Sequence, residues 1–203
     1  MTAPILRINP DVPETDLIRQ AVDVLVAGKI LILPTDTVYG IGLMVSVSTL
    51  PDAIFASKER PVDKSIPLLV AGLDSLTHYG LNLPDYALEL AVEFWPGALT
   101  LVVQATEAVP GQFTSADGSV ALRMPDHAIT LALLEACRAP LACSSANLSG
   151  EAPAINIDEL NDVLAQRVDL IIDGGALSGG VASTVVSCLQ SEPQVLRPGP
   201  IEI

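Results

Sequence analysis

Cationic side chains are scarce: 10 lysines and arginines stand against 24 aspartates and glutamates in 203 residues, a formal net charge of -14. That balance argues against tight, sequence-independent binding to a nucleic-acid backbone, which comes from lysine and arginine displacing counterions. Strong, direct binding of RNA by this chain is therefore not expected. Long hydrophobic runs are missing too, and no apolar stretch reaches the length needed to cross a bilayer. No membrane partner is expected. The opening "MTAPILRINPDVPETD" lacks a basic region followed by an apolar segment and a small-residue cleavage site, so the expected location is the cytoplasm. Cys137, Cys143 and Cys188 are odd in number, without C-x-x-C spacing, and His78 and His127 lie far from them. No metal held by protein side chains is expected. The cysteines read as small buried hydrophobes, and the histidines as surface or cap residues. A G-x-S-x-G elbow is absent, so Ser145 is not read as a nucleophile. No lysine follows Gly179-Gly180, which excludes a Walker loop, and Val45 breaks the dinucleotide fingerprint that Gly40-Ile41-Gly42 begins.

What is present is a chain of 50% hydrophobic and 17% charged residues, long enough to bury a sizeable core, and one domain over 1–203 is expected. "TDLIRQAVDVLVAGK" puts Ile18, Val22, Leu25 and Val26 on one helical face, with Thr15 as N-cap and Gly28 at the stop. "KILILP" is a short apolar run ended by Pro34, which suits a buried strand. Helices are predicted at "DAIFASK", "PDYALELAVEFW", "AITLALLEAC" and "IDELNDVLAQR". Strands are predicted at "IPLLV", "ALTLVV", "SVALR", "PLACS", "VDLIID", "STVVSCL" and "QVLR". The interleaving predicts an α/β domain, and neighbouring strands without a helix between them make its sheet mixed, parallel and antiparallel.

Several segments can carry chemistry. "KERPVDK" gathers Lys58, Arg60 and Lys64 in seven positions, where composition alone places about 0.3 cations. Lys58 and Arg60 can be explained by a helix C-terminus, where cations meet the dipole favourably. Lys64 lies beyond Pro61, where the helix cannot continue, and this favours an anion site. "PTDTVYGIG" can present hydroxyls and backbone N–H groups to a cleft, or it can be an ordinary capped turn. "CSSANLSG" offers hydroxyl and amide groups near a strand end, as many loops do. Arg123 and Arg197 each end an apolar strand, where solvated charges are common.

Taken in order, "PTDTVYGIG", "KERPVDK", "WPGALTLVV", "VALRMPDH", "SSANLSG", "STVV" and "LRPGP" resemble the YrdC-like family in its short threonylcarbamoyl-adenylate synthase form. The match runs from about residue 15 to 203. The resemblance implies a twisted mixed sheet flanked by helices, with one large concave cleft lined by basic residues. It implies that Lys58, Arg60 and Lys64 hold the triphosphate of ATP and act electrostatically, with no general base assigned. Ser145 and Asn147 match the family's S-x-N, Arg197 its nucleotide-contacting arginine and Ser119 an ATP-contacting position. Thr35, Arg123 and Ser183 match the positions that hold L-threonine. Longer relatives carry an additional C-terminal domain, which is not expected here.

The reaction so implied joins L-threonine, bicarbonate and ATP into threonylcarbamoyl-adenylate and pyrophosphate, with Mg²⁺ accompanying the ATP. A separate transferase would pass the product to tRNA. The competing reading is a catalytically silent relative that binds RNA or ribosomes. The retained cationic trio and S-x-N, with the acidic total, favour the enzyme. A related carbamate-adenylating enzyme of hydrogenase maturation is disfavoured because its zinc-finger and acylphosphatase signatures are missing.

Overall fold

Strand alternation organises this molecule, because successive side chains on a strand point to opposite faces of the sheet. We describe residues 3–47, 51–59 and 66–203 of a computed structural model. Its elements are β1 (Ile5–Arg7), α1 (Thr15–Val26), β2 (Leu31–Leu33), β3 (Gly40–Met44), α2 (Asp52–Lys58), β4 (Leu68–Leu69), α3 (Asp74–Tyr79) and β5 (Gly80–Leu81). They continue with α4 (Asp85–Phe94), β6 (Leu99–Ala105), β7 (Ser119–Arg123), α5 (Ala128–Cys137), β8 (Leu141–Ser145), α6 (Asp162–Ala165), β9 (Leu170–Asp173), β10 (Thr184–Ser187) and β11 (Gln194–Arg197). One sheet runs in the order β1-β9-β2-β3-β8-β4-β7-β6-β10-β11, with β5 pairing β6 off that path. The pairing is mixed as expected: β6 runs parallel to β10 and antiparallel to β7, and β3 lies antiparallel between β2 and β8.

One half of this sheet is buried on both faces. Leu31, Leu33, Leu141, Leu170 and Ile172 pack with Ile18, Ala21 and Leu25 of α1 and Ile129, Leu133 and Leu134 of α5. Their neighbours Ile32, Ile41, Ala142 and Ile171 point the other way, into the core shared with Ile54 of α2, Leu76 of α3 and Ala87 and Ala91 of α4. Strands β6, β7 and β10 differ. Leu99, Leu101, Val103, Val120, Leu122 and Val186 face that same core, while Thr100, Val102, Ser119, Ala121, Arg123, Val185 and Ser187 line an open hollow. The hollow occupies the sheet face that α1 and α5 cover elsewhere, so the pleat itself separates core from site.

Three local expectations are corrected. Val26 is 53% exposed rather than part of the buried face, because it follows the fully buried Leu25 by a rotation of about 100°. Thr15 is the first helical residue and Glu14 takes the cap position without a side-chain cap bond; the Glu14 carboxylate accepts the Asn9 N–H instead. The single helix expected over "IDELNDVLAQR" is a 3₁₀ turn at Ile157–Glu159 followed by the four-residue α6. Asn156 and Asn161 each turn their side chains onto backbone N–H groups of the next residues, restarting the chain rather than continuing it. Among the described residues, no helix is long and apolar enough to cross a membrane.

Candidate active site

The hollow on β6, β7 and β10 is a cleft of about 600 Å³, closed at its sides by the 35–40 segment, the end of β8 and the 182–183 segment. Of the residues singled out by sequence, Thr35, Ser119, Arg123, Ser145, Ser183 and Arg197 all line it. Asn147 and Lys58 stand behind the Ser145 wall. The Lys58 side chain, 2% exposed, donates to the carbonyls of Ser145 and Asn147 and to Asn147 Oδ1 at 3.3 Å. A buried ammonium needs such acceptors, and in this arrangement it gathers the S-x-N turn. Asn147 completes the turn by donating from Nδ2 to the carbonyls of Leu148 and Glu151, both at 2.8 Å. Arg60 and Lys64 lie outside the described residues.

Arg123 organises the inner end. Its Nε donates to Gly97 O at 3.0 Å, Nη1 to Thr37 Oγ1 at 3.0 Å and Nη2 to Asp36 Oδ1 at 2.6 Å. A guanidinium carries five N–H groups, so these bonds leave one on Nη1 and one on Nη2. The threonine hydroxyls are ordered with it. Thr35 Oγ1 donates to Val38 O at 2.7 Å and lies 3.0 Å from Thr37 Oγ1. Its only proton is thereby used, so Thr37 donates to Thr35 while accepting from Arg123.

At the other wall, Ser183 Oγ lies 2.8 Å from Thr100 Oγ1 and accepts from Arg197 Nη2 at 3.1 Å. Arg197 also donates from Nε and Nη2 to Ser183 O at 3.1 and 2.7 Å. Asp117 Oδ1 accepts the Ser119 hydroxyl at 2.6 Å and the Ser119 N–H at 3.0 Å. These two bonds hold the Asp117 carboxyl below its ordinary pKa. Thr37 belongs to the threonine pair of "PTDTVYGIG" that can face a cleft, whereas Thr100 and Asp117 were not singled out by sequence. Alternation on β6 was the available signal for Thr100, since it faces the same way as Ser119 and Arg123 on the paired strand.

Cys143 also lines the cleft, and burial pushes its thiol up to about 12 although Arg123 and Lys58 pull it down. Burial raises Cys137 and Cys188 to about 11. The thiols therefore ionise first in the unfolded chain, near their ordinary 9.0, and only at higher pH in the folded one. Folding stability is accordingly expected to fall as pH rises through that window, which thermal melts across alkaline pH would check. At neutral pH all three thiols should resist alkylation until denaturant is added, as mass spectrometry of labelled protein would reveal. His78 is exposed and His127 holds the N-cap position of α5, in keeping with the sequence reading.

Among the described residues, the open face of this α/β sheet carries two arginines and a row of hydroxyls, which defines a class: an α/β cleft protein whose site has the donors to suit small anions. The chain belongs to the Sua5/YciO/YrdC family, whose profile, described as "Telomere recombination", matches residues 23–199. It is 37% identical over 182 residues to the threonylcarbamoyl-AMP synthase of Pyrococcus abyssi, covering 90% of this chain and 54% of that protein. The chain thus spans about half the length of this curated relative. The crystal structure of P. abyssi Sua5 complexed with L-threonine superposes with a TM-score of 0.88 at 36% identity, covering 96% of this chain and 57% of that one. E. coli YciO superposes with a TM-score of 0.91 at 29% identity, covering 98% of this chain and 97% of that one.

Proposed function

We propose that this chain is a threonylcarbamoyl-AMP synthase, condensing L-threonine, bicarbonate and ATP into threonylcarbamoyl-adenylate with release of pyrophosphate. The observation that carries the reading is one cleft lined by both Arg123 and Arg197, in a chain whose net charge is -14. The name of the P. abyssi relative and the threonine held by its Sua5 structure support it. In this reading, the two remaining N–H groups of Arg123 take the threonine carboxylate, with Thr35 and Ser183 completing the amino-acid pocket. Ser119, Ser145 and Arg197 face the nucleotide, Lys58 and Asn147 shape the Ser145 wall from behind, Lys58 lending it positive charge, and Arg60 and Lys64 serve the triphosphate.

The chemistry follows from charge. The neutral amine of threonine and bicarbonate give a carbamate and water. A carbamate oxygen then attacks the α-phosphorus, forming a P–O bond as the bond to the β-phosphate oxygen breaks and pyrophosphate leaves. Two anions must approach, and fixed cations oppose that repulsion while stabilising charge on the phosphoryl oxygens. Among the described residues no group of three or more His, Cys, Asp or Glu could hold an ion. Asp117, the one carboxylate among the described lining residues, has its Oδ1 occupied by Ser119. In this reading Mg²⁺ would enter with the ATP substrate, held by its phosphate oxygens.

The whole of 1–203 acts as one YrdC-like unit in this proposal, working in the cytoplasm and handing its product to a separate threonylcarbamoyl transferase for tRNA modification. Pyrophosphate release, measured with each substrate omitted in turn, tests the activity. Release requiring threonine, bicarbonate and ATP together is expected. Equal release without threonine, or salt-sensitive RNA binding with no release at all, would overturn it.

A further inference from the structure

The residues that hold Arg123 in place are themselves held, from two directions. Asp36 accepts from Nη2 in an ion pair of 2.6 Å, in which the arginine side chain is 8% and the aspartate 16% exposed. Thr37 accepts from Nη1, and its own backbone is pinned by the glycine-rich segment 174–181. Gly180 N donates to Thr37 O at 2.7 Å. Tyr39, two residues on, anchors the start of the same segment, donating to Gly175 O at 2.7 Å and accepting from Gly174 N at 3.1 Å. Gly179 is where this strap presses closest. A Cβ there would meet Thr37 O at 2.4 Å, Asp36 O at 2.7 Å and Thr37 Cα at 2.8 Å. All three are backbone atoms that no rotamer change can move aside, so any side chain at 179 must displace the 36–37 peptide.

We infer that Asp36 and Gly179 are positioning residues for the amino-acid pocket: Asp36 fixes the Arg123 fork by charge, and Gly179 lets the strap seat Thr37 beneath it. This rests on the reading that Arg123 receives the substrate carboxylate. A planar guanidinium binds a carboxylate well only when its N–H groups are aimed. With Nε on Gly97 O, Nη1 on Thr37 and Nη2 on Asp36, the plane of the fork is set before substrate arrives. Neither Asp36 nor Gly179 is among the residues lining the cleft, so each acts through its neighbours. The consequence is selective. Losing either should weaken threonine binding and leave the nucleotide wall, built on Ser119, Ser145 and Arg197, unaffected.

The test compares Asp36→Ala, Asp36→Asn and Gly179→Ala with the parent chain. The threonine KM comes from pyrophosphate release and the ATP affinity from titration of a non-hydrolysable analogue. Asp36→Ala and Gly179→Ala are expected to raise the threonine KM about 10-fold to 100-fold, the range for losing one hydrogen bond to a charged group. Asp36→Asn, which keeps an acceptor oxygen without the charge, should fall between them and the parent. Analogue affinity should stay within about twofold, the mark of a defect confined to one substrate. An unchanged threonine KM in Asp36→Ala and Gly179→Ala, or analogue affinity falling in parallel with it, would overturn the inference. Should Asp36→Ala fail to fold, the isosteric Asp36→Asn carries the same comparison. Arg123→Ala is the separate control: an unchanged threonine KM in that variant would refute the pocket assignment itself.

Discussion

Arg123→Ala is expected to lower kcat/KM for threonine by about 10²-fold to 10³-fold, the loss seen when a preorganised charge-stabilising donor is removed. Two effects combine. The substrate carboxylate loses its fork, and Asp36 loses its ion-pair partner at a position where its side chain is 16% exposed. Removing one member of a fully buried pair destabilises by about 3–5 kcal/mol, and the residual exposure of Asp36 places this variant below that range. Arg123→Lys keeps the charge but cannot reach Gly97, Thr37 and Asp36 together, so it should recover stability more than catalysis. Steady-state kinetics over threonine, with urea melts of the same preparations, separate the two effects. Full kcat/KM in the alanine variant would contradict this role.

Gly199→Ala should have the next largest effect. A Cβ at Gly199 would lie 2.4 Å from Thr184 N, 2.6 Å from Ala182 O and 2.7 Å from Ser183 C, all of them backbone. The segment after β11 must then lift from β10. It carries Ile201, whose N–H donates to Thr184 Oγ1 at 3.0 Å and whose carbonyl accepts from it at 2.8 Å. Arg197, bound three times to Ser183, shifts with it. Overpacking of this kind destabilises by about 1–3 kcal/mol. A roughly tenfold loss of ATP affinity should accompany it, as expected for one weakened charged contact. Calorimetric titration with an ATP analogue would measure that loss, and Arg197→Ala should reproduce the affinity loss alone. Parent-like melting and affinity in Gly199→Ala would sink the prediction.

How far this site could be read from sequence follows from the range of its interactions. The strands "ALTLVV" and "SVALR" are apolar at every second position and "STVV" holds a β-branched run, so β6, β7 and β10 were legible. The polar residues between, Thr100, Ser119, Arg123 and Ser187, are those the cleft collects. β3 was harder to see because Gly40 and Gly42 interrupt its alternation, and β1 spans only three residues. The Asn-capped restart at Asn161 looked like continuous helix because the apolar spacing of Leu160 and Leu164 fits either. What no local pattern contains is the Arg123 pairing with Thr37 and Asp36, separated by 86 and 87 residues. Only a sheet that brings β7 beside the 35–38 segment joins them. The resemblance of ordered motifs bridged that gap for Thr35, Arg123 and Ser183, but it said nothing of Asp36 or Gly179.

For this chemistry, amino acid and nucleotide must meet in one hollow. A crystal structure of the protein with L-threonine and a non-hydrolysable ATP analogue tests this most directly. It should reveal the threonine carboxylate on Arg123 and the nucleotide between Ser119, Ser145 and Arg197, with the amine side facing the α-phosphate. Ligands seated in separate places, or a threonine carboxylate with no contact to Arg123, would contradict it.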